Sequence, residues 1–160
     1  MTIRKIQLED NEQIATVIRT VLTSFNVPKV GTAFADPQLD CLFETYNVEK
    51  SVYFVIENNK KIIGGCGIMQ LENESKNICE LQKMYFLPEA RNLGLGRQTI
   101  ELCLQKAIEY NYEYCYLETM PNMEAAQNLY RKVGFENLKN PMGNTGHTNC
   151  PVWMLKKLQT

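Results

Sequence analysis

The feature that most constrains this chain is a strand that runs through a glycine-containing turn into a helix. Ile78-Cys79-Glu80-Leu81-Gln82-Lys83-Met84-Tyr85-Phe86-Leu87 reads as an extended run, Pro88-Glu89-Ala90 breaks it, and Arg91-Asn92-Leu93-Gly94-Leu95-Gly96 opens an amphipathic helix reaching Tyr110. Ile100, Cys103, Leu104, Ala107 and Ile108 recur on one face of that helix, which marks a core stripe. Glycines at its start let the backbone approach a ligand closely. The first N–H groups of a helix have no intrahelical carbonyl, so such a turn is suited to an anion, and a pyrophosphate is the natural occupant. The phosphate loop Gly-x-x-x-x-Gly-Lys-Ser/Thr is absent, and Gly94-Leu95-Gly96-Arg97-Gln98-Thr99 lacks the last glycine of the dinucleotide fingerprint.

A second segment narrows the choice. Leu117-Glu118-Thr119-Met120-Pro121-Asn122-Met123-Glu124-Ala125-Ala126-Gln127-Asn128-Leu129-Tyr130-Arg131-Lys132-Val133-Gly134-Phe135 reads as strand, helix and glycine stop. Arg91-x-x-Gly94-x-Gly96 resembles the Arg/Gln-x-x-Gly-x-Gly/Ala loop of the GCN5-related N-acetyltransferase (GNAT) family, and the second segment resembles that family's Leu-Tyr-x-x-x-Gly-Phe element. Order and separation match as well, over roughly residues 60–140. The resemblance implies an α/β fold of the GNAT type: a central, mostly antiparallel sheet of about seven strands flanked by about four helices.

The remaining chain fits that plan. Its 160 residues suit a single domain, 1–160, able to bury roughly two thirds of its unfolded surface. Thr2 to Leu8 alternates as a first strand, and Asp10 is placed to cap a helix bearing Ile14, Val17, Ile18, Val21, Leu22 and Phe25. Pro28, Gly31 and Pro37 mark a loop, followed by a short helix with Leu39, Leu42, Phe43 and Tyr46. Strands Val52–Ile56 and Ile62–Leu71 flank the turn Glu57-Asn58-Asn59-Lys60, and Gly64, Gly65 and Gly67 point to a bulge or close backbone approach. Phe135–Leu138 and Val152–Leu158 are expected to pair as a β arm. That arm, with Val152, Trp153 and Leu155, either closes its own sheet or pairs across a two-fold in a homodimer.

Charge and cysteine usage bound the partners. A net charge of −1 without a Lys/Arg block argues against nucleic acid or a membrane surface, and no apolar run nears the ~20 residues that span a bilayer. Six cysteines without Cys-x-x-Cys spacing read as buried thiols in a reducing cytoplasm, and no metal is expected.

The resemblance assigns the chemistry. Acetyl-CoA is the implied co-substrate, a primary amine the implied acceptor, and direct attack of the amine on the thioester the implied reaction. Asn92, Leu93, Gly94, Leu95, Gly96 and Arg97, with Arg91 ahead of them, would hold the pyrophosphate. Phe86, five residues before Arg91, would hold the pantetheine arm through its backbone, and the Met84 N–H would meet the acetyl carbonyl as oxyanion donor. Tyr130 matches the family's general acid at the leaving sulfur. Many relatives carry asparagine seven residues before this tyrosine, where this chain has Met123 with Asn122 beside it. Asn122 therefore either replaces that contact or leaves it missing.

Glu80 is the candidate base, four residues before Met84 and on the same side of an unbroken strand, ~13 Å away, so that a proton would pass through water. A solvated glutamate near Lys83 or Lys61 is the structural alternative. His147, in a Gly/Asn/Thr-rich loop, is a rival base or an exposed loop residue. Glu44, Tyr46, Glu118 and the segment Gly31–Asp36 are candidates for the acceptor side. Two alternatives stay open: a non-catalytic acyl-CoA sensor of the same fold, and an unrelated nucleotide-phosphate binder that would prefer ATP.

Overall fold

A computed structural model describes residues 1–158. Seven strands form one sheet in the order β1-β2-β3-β4-β5-β7-β6. They are β1 (Thr2–Lys5), β2 (Val52–Asn58), β3 (Lys61–Gln70), β4 (Ile78–Phe86), β5 (Tyr114–Thr119), β6 (Glu136–Asn137) and β7 (Val152–Lys157). Four α-helices cover it: α1 (Asn11–Ser24), α2 (Leu42–Tyr46), α3 (Leu95–Glu109) and α4 (Glu124–Lys132). All strand pairs are antiparallel except β4 with β5.

The local chemistry accounts for these elements. Asn59 and Lys60 both take positive φ, 50° and 66°, which matches the right-handed twist of the β2–β3 hairpin. On α1, Ile14, Val17, Ile18 and Leu22 are buried against Tyr53, Val55 and Ile62 on one sheet face. Fully burying such a side chain stabilises the fold by roughly 1.5–3 kcal/mol. The other sheet face presents Cys79 and Leu81 to Ile100, Cys103, Leu104 and Ala107 of α3, and to Tyr130 and Phe135. Asp10 departs from the expected cap. Its carboxylate accepts from the Gln7 N–H at 2.8 Å and from the Arg4 guanidinium at 2.7 and 2.9 Å, so it closes the turn before α1 and leaves the α1 N–H groups alone.

Two departures from regular pairing position the site. β4 and β5 pair only over Ile78–Glu80 and Tyr114–Tyr116, while β5 stays paired with β7 along its whole length. Beyond Glu80 the two parallel strands have separated and the sheet is split. Within β4, Gly65 faces Tyr85 and Gly67 faces Gln82, which leaves Lys83 and Met84 opposite Cys66 alone, and Lys83 has φ 50°. This is a β-bulge. The expected close approach at the β3 glycines is present, since a Cβ on Gly65 would lie 2.5 Å from Tyr53 Cε1. The C-terminal arm joins the chain's own sheet: β7 pairs with β5 along its whole length and with β6 at Leu155 and Met154.

Candidate active site

The split between β4 and β5 forms a cleft. β4 contributes Glu80 to Tyr85, β5 contributes Glu118 and Thr119, α4 contributes Tyr130, and the segment before β7 contributes His147 and Cys150. Leu22, Val27, Thr32 and Ala33 complete the side next to α1. Glu80, Met84 and Tyr130 thus share one cleft.

Glu80 is not a solvated surface glutamate. Its residue is 4% exposed, and its carboxylate accepts from Gln82 Nε2 at 2.5 Å. Gln82 Oε1 in turn accepts from the Tyr46 hydroxyl at 2.8 Å, so α2 orients the amide that orients the carboxylate. Burial pushes the Glu80 carboxyl up; the Gln82 hydrogen bond, His147 and Lys83 oppose it, Glu118 adds to it, and the result is about 7. Such a group changes protonation near neutral pH.

The bulge corrects the expected relation of Glu80 to Met84. In an unbroken strand, residues four apart share a face. The extra residue at Lys83 reverses the alternation, so the Met84 side chain packs with the α3 core while Glu80 lies in the cleft. The Tyr53 hydroxyl, on a residue 1% exposed, donates to the Lys83 carbonyl at 2.8 Å and fixes the bulge.

Tyr130 is set by the end of its helix. The Phe135 N–H donates to the Tyr130 carbonyl at 3.0 Å and the Gly134 N–H to that of Arg131 at 3.0 Å, with Gly134 at φ 93°. This Schellman stop explains why Gly-Phe follows the tyrosine. The Phe135 ring packs edge-on against the Tyr130 ring at 6.0 Å. The Tyr130 ring is therefore in the core, yet its hydroxyl has no hydrogen-bond partner among the described residues and is not sealed from solvent. It faces the cleft. Burial pushes the phenol above its ordinary value.

The glycine turn lies at the far end of β4. Gly94 precedes α3 at φ 75°, and a Cβ on Gly96 would lie 3.1 Å from Leu129 Cδ2 and 3.3 Å from Phe86 Cε2. Arg91, Asn92, Leu93 and Arg97 are exposed around it. Two side chains are committed elsewhere: Arg91 Nε donates to the Phe86 carbonyl at 3.0 Å with its guanidinium 5.6 Å from the Phe25 ring, and Arg97 pairs with Glu101 at 2.7 Å. Asn122 Nδ2 donates to the Phe25 carbonyl at 3.0 Å, so it holds the end of α1 and does not line the cleft.

The acceptor side assembles from distant segments. Glu118 accepts from Tyr116 and Thr145 hydroxyls, both at 2.7 Å. Glu44 is engaged by Asn11 outside the cleft. His147 is not an exposed loop residue: its side chain is 13% exposed and Nε2 lies 3.2 Å from Asp36. Lys83, 4% exposed in its side chain and 2.9 Å from Asp36, and Cys150 were not singled out from sequence, because only tertiary pairing marks them.

These features fit an acyl-CoA: an open edge of β4 beside a cleft, a left-handed glycine ahead of a 15-residue helix, and a second glycine that lets the start of that helix pack closely on Phe86 and Leu129. The comparisons agree. The model of the acetyltransferase (GNAT) family matches residues 18–135. The chain is 40% identical over 156 residues to the uncharacterized N-acetyltransferase YjgM of Escherichia coli (strain K12), covering 97% of this chain and 93% of that protein. Its fold is similar to that of a GNAT acetyltransferase from Staphylococcus aureus Mu50, with TM-score 0.87, 23% identity and 99% of each chain covered. It is also similar to yncA of Salmonella typhimurium, solved with its cofactor acetyl-CoA, with TM-score 0.77, 17% identity, and 100% and 95% covered. The chain belongs to the GNAT family of acetyltransferases. Among the described residues no helix is long and apolar enough to cross a membrane, and no group of three metal-ligating side chains occurs.

Proposed function

We propose that the protein is a single-domain N-acetyltransferase that moves the acetyl group of acetyl-CoA to the primary amine of a small molecule or peptide. The observation that carries this reading is the presence, in one cleft at the sheet split, of a buried carboxyl near 7 and a tyrosine hydroxyl that has no hydrogen-bond partner among the described residues. Acetyl-CoA supplies an activated thioester. Every other contribution comes from the chain.

The backbone around Asn92–Arg97 binds the pyrophosphate through N–H groups, and Phe86 offers its backbone to the pantetheine. The Met84 N–H, aimed by the bulge, donates to the carbonyl oxygen as it gains charge, a contact worth on the order of 2.7–4 kcal/mol. Glu80 removes the proton from the ammonium through water. Accepting a proton from an ammonium near ~10.4 costs an ordinary carboxylate roughly 8 kcal/mol, and near 7 the cost falls to roughly 5 kcal/mol. Tyr130 hydrogen-bonds the departing sulfur. Its raised affinity for its own proton makes donation of a hydrogen bond, more than full transfer, its contribution. Six free cysteines suit a reducing cytoplasm.

The test is the melting temperature with acetyl-CoA, CoA, ATP and NAD. A ligand at 100 times its Kd stabilises by about 2.7 kcal/mol, which is several degrees here. A shift with acetyl-CoA and not with ATP or NAD is expected, followed by amine-stimulated thiol release. A shift without thiol release from any amine would identify an acyl-CoA-binding module instead, and a preference for ATP would overturn the reading.

A further inference from the structure

The cleft contains a second group built to take a proton. His147 Nε2 lies 3.2 and 3.3 Å from the two carboxylate oxygens of Asp36, which also meets Lys83 Nζ at 2.9 Å. Burial favours a protonated Asp36, but the His147 hydrogen bond and the Lys83 charge outweigh it and hold the carboxyl down at about 2. An ionised carboxylate can only accept, so Nε2 carries the hydrogen and Nδ1 is the lone-pair nitrogen of the neutral ring. Nδ1 has no partner among the described residues, and no buried side-chain nitrogen is left unsatisfied, so Nδ1 is open to the cleft that His147 lines.

The backbone that carries the ring is held from both sides. The His147 backbone N–H donates to Thr145 Oγ1 at 3.1 Å, and the Cys150 backbone N–H donates to the His147 carbonyl at 3.0 Å. Asn149 ties the same loop to the segment after α1 through Gly31 and Val30.

We propose that His147 is a catalytic residue that accepts the acceptor's ammonium proton at Nδ1 alongside Glu80, with Asp36 as the positioning residue that sets its tautomer. The inference rests on the acetyltransferase reading above. In the step, the ammonium gives its proton to Nδ1, the freed nitrogen forms a bond to the acetyl carbon, and the carbon–sulfur bond breaks. The nitrogen, now bonded to carbon, gives up its second proton, which passes through water to the departing sulfur; the sulfur leaves with its electron pair and ends as the thiol, and the imidazolium returns its proton to solvent. Charged and titratable groups surround the ring on every side: Asp36 from the segment after α1, Glu80 and Lys83 from β4, Glu118 from β5 and Cys150 from its own loop. Burial lowers the imidazole, but the Asp36 hydrogen bond and the charges of Asp36 and Glu80 outweigh burial and Lys83, so it lies above 6.5.

The chain has one histidine, so its imidazole NMR signals are unambiguous in the intact protein. At high pH the Nε2–H tautomer is expected, with a titration above 6.5 that falls in Asp36→Asn. With n-butylamine, putrescine and glycinamide as probe acceptors, His147→Gln should lower kcat about 10- to 100-fold at pH 7. The deficit should shrink toward pH 9, because the free-amine fraction grows about tenfold per unit. The acetyl-CoA melting shift should be retained. An Nδ1–H tautomer, or a loss independent of pH, overturns the role of His147 and leaves the acetyltransferase reading intact. If His147→Gln does not melt cooperatively, Asp36→Asn and the tautomer decide. No acetyl-CoA shift in the unaltered protein would overturn both.

Discussion

Glu80→Gln should make the protein slower and more stable, and the stability gain should depend on pH. The Glu80 carboxyl sits near 7 in the fold because burial disfavours its charge, against an ordinary value of 4.5. The native state therefore holds this proton more tightly than the unfolded chain. Its stabilising share is complete below about 4.5 and is lost as pH rises toward 7, after which the buried charge weakens the fold. The gap of 2.5 (7 minus 4.5), at about 1.36 kcal/mol each, is about 3 kcal/mol. Glutamine keeps the acceptor oxygen for Gln82 and carries no charge. The variant should match the parent at pH 4, separate from it between pH 5 and 7, and lead by about 3 kcal/mol at pH 8. For a chain of this length that is roughly 6–12 °C in Tm. Urea or thermal melts of both proteins at pH 4, 5, 6, 7 and 8 measure it, with kcat falling about 10²-fold or more in parallel. A variant less stable by the same margin at every pH would refute the burial argument and the assignment of Glu80 as base.

Three further outcomes test other parts of the site. Tyr130→Phe should slow turnover about ten- to a thousand-fold with little change in Tm, since its hydroxyl has no hydrogen-bond partner among the described residues; an unchanged rate in a folded variant removes it from the reaction. Tyr53→Phe leaves the Lys83 carbonyl without its 2.8 Å donor and should cost about 1–3 kcal/mol in denaturant melts, with kcat reduced more than acetyl-CoA binding because the Met84 amide loses its aim; equal loss of both would argue against the bulge as an aiming device. Gly96→Val adds atoms beyond a Cβ that would itself lie 3.1 Å from Leu129 and 3.3 Å from Phe86, which pushes the start of α3 off β4 and α4, so the acetyl-CoA melting shift should disappear; a retained shift in a folded variant would move the pyrophosphate site elsewhere.

The parts of this site legible in the sequence are those whose cause is local. Gly94 and Gly134 take φ 75° and 93°, conformations that glycine alone adopts freely, so both turns announce themselves in the residue type. The Leu-Tyr-x-x-x-Gly-Phe pattern was readable for the same reason: the helix stop that needs Gly134 is closed by bonds to the carbonyls of Tyr130 and Arg131, within five residues. Lys83 is the opposite case. It also takes positive φ, at 50°, but lysine does not prefer that conformation, and nothing in Gln82-Lys83-Met84 calls for it. The cause lies in β3, where Gly65 and Gly67 pair around the extra residue, and in the Tyr53 hydroxyl of β2. Counting residues along β4 therefore puts the Met84 side chain on the wrong face. The Asp36–His147 pair spans 111 positions, and periodicity carries no information at that distance. One consequence reaches the chemistry. The bulge turns the Met84 side chain into the α3 core while Glu80 stays in the cleft, so in the proposed reaction β4 offers a carboxylate and a backbone amide to one substrate without the Met84 side chain between them. A regular β4 would put that side chain on the cleft face. In the proposed reaction, that irregularity lets a single strand supply both groups.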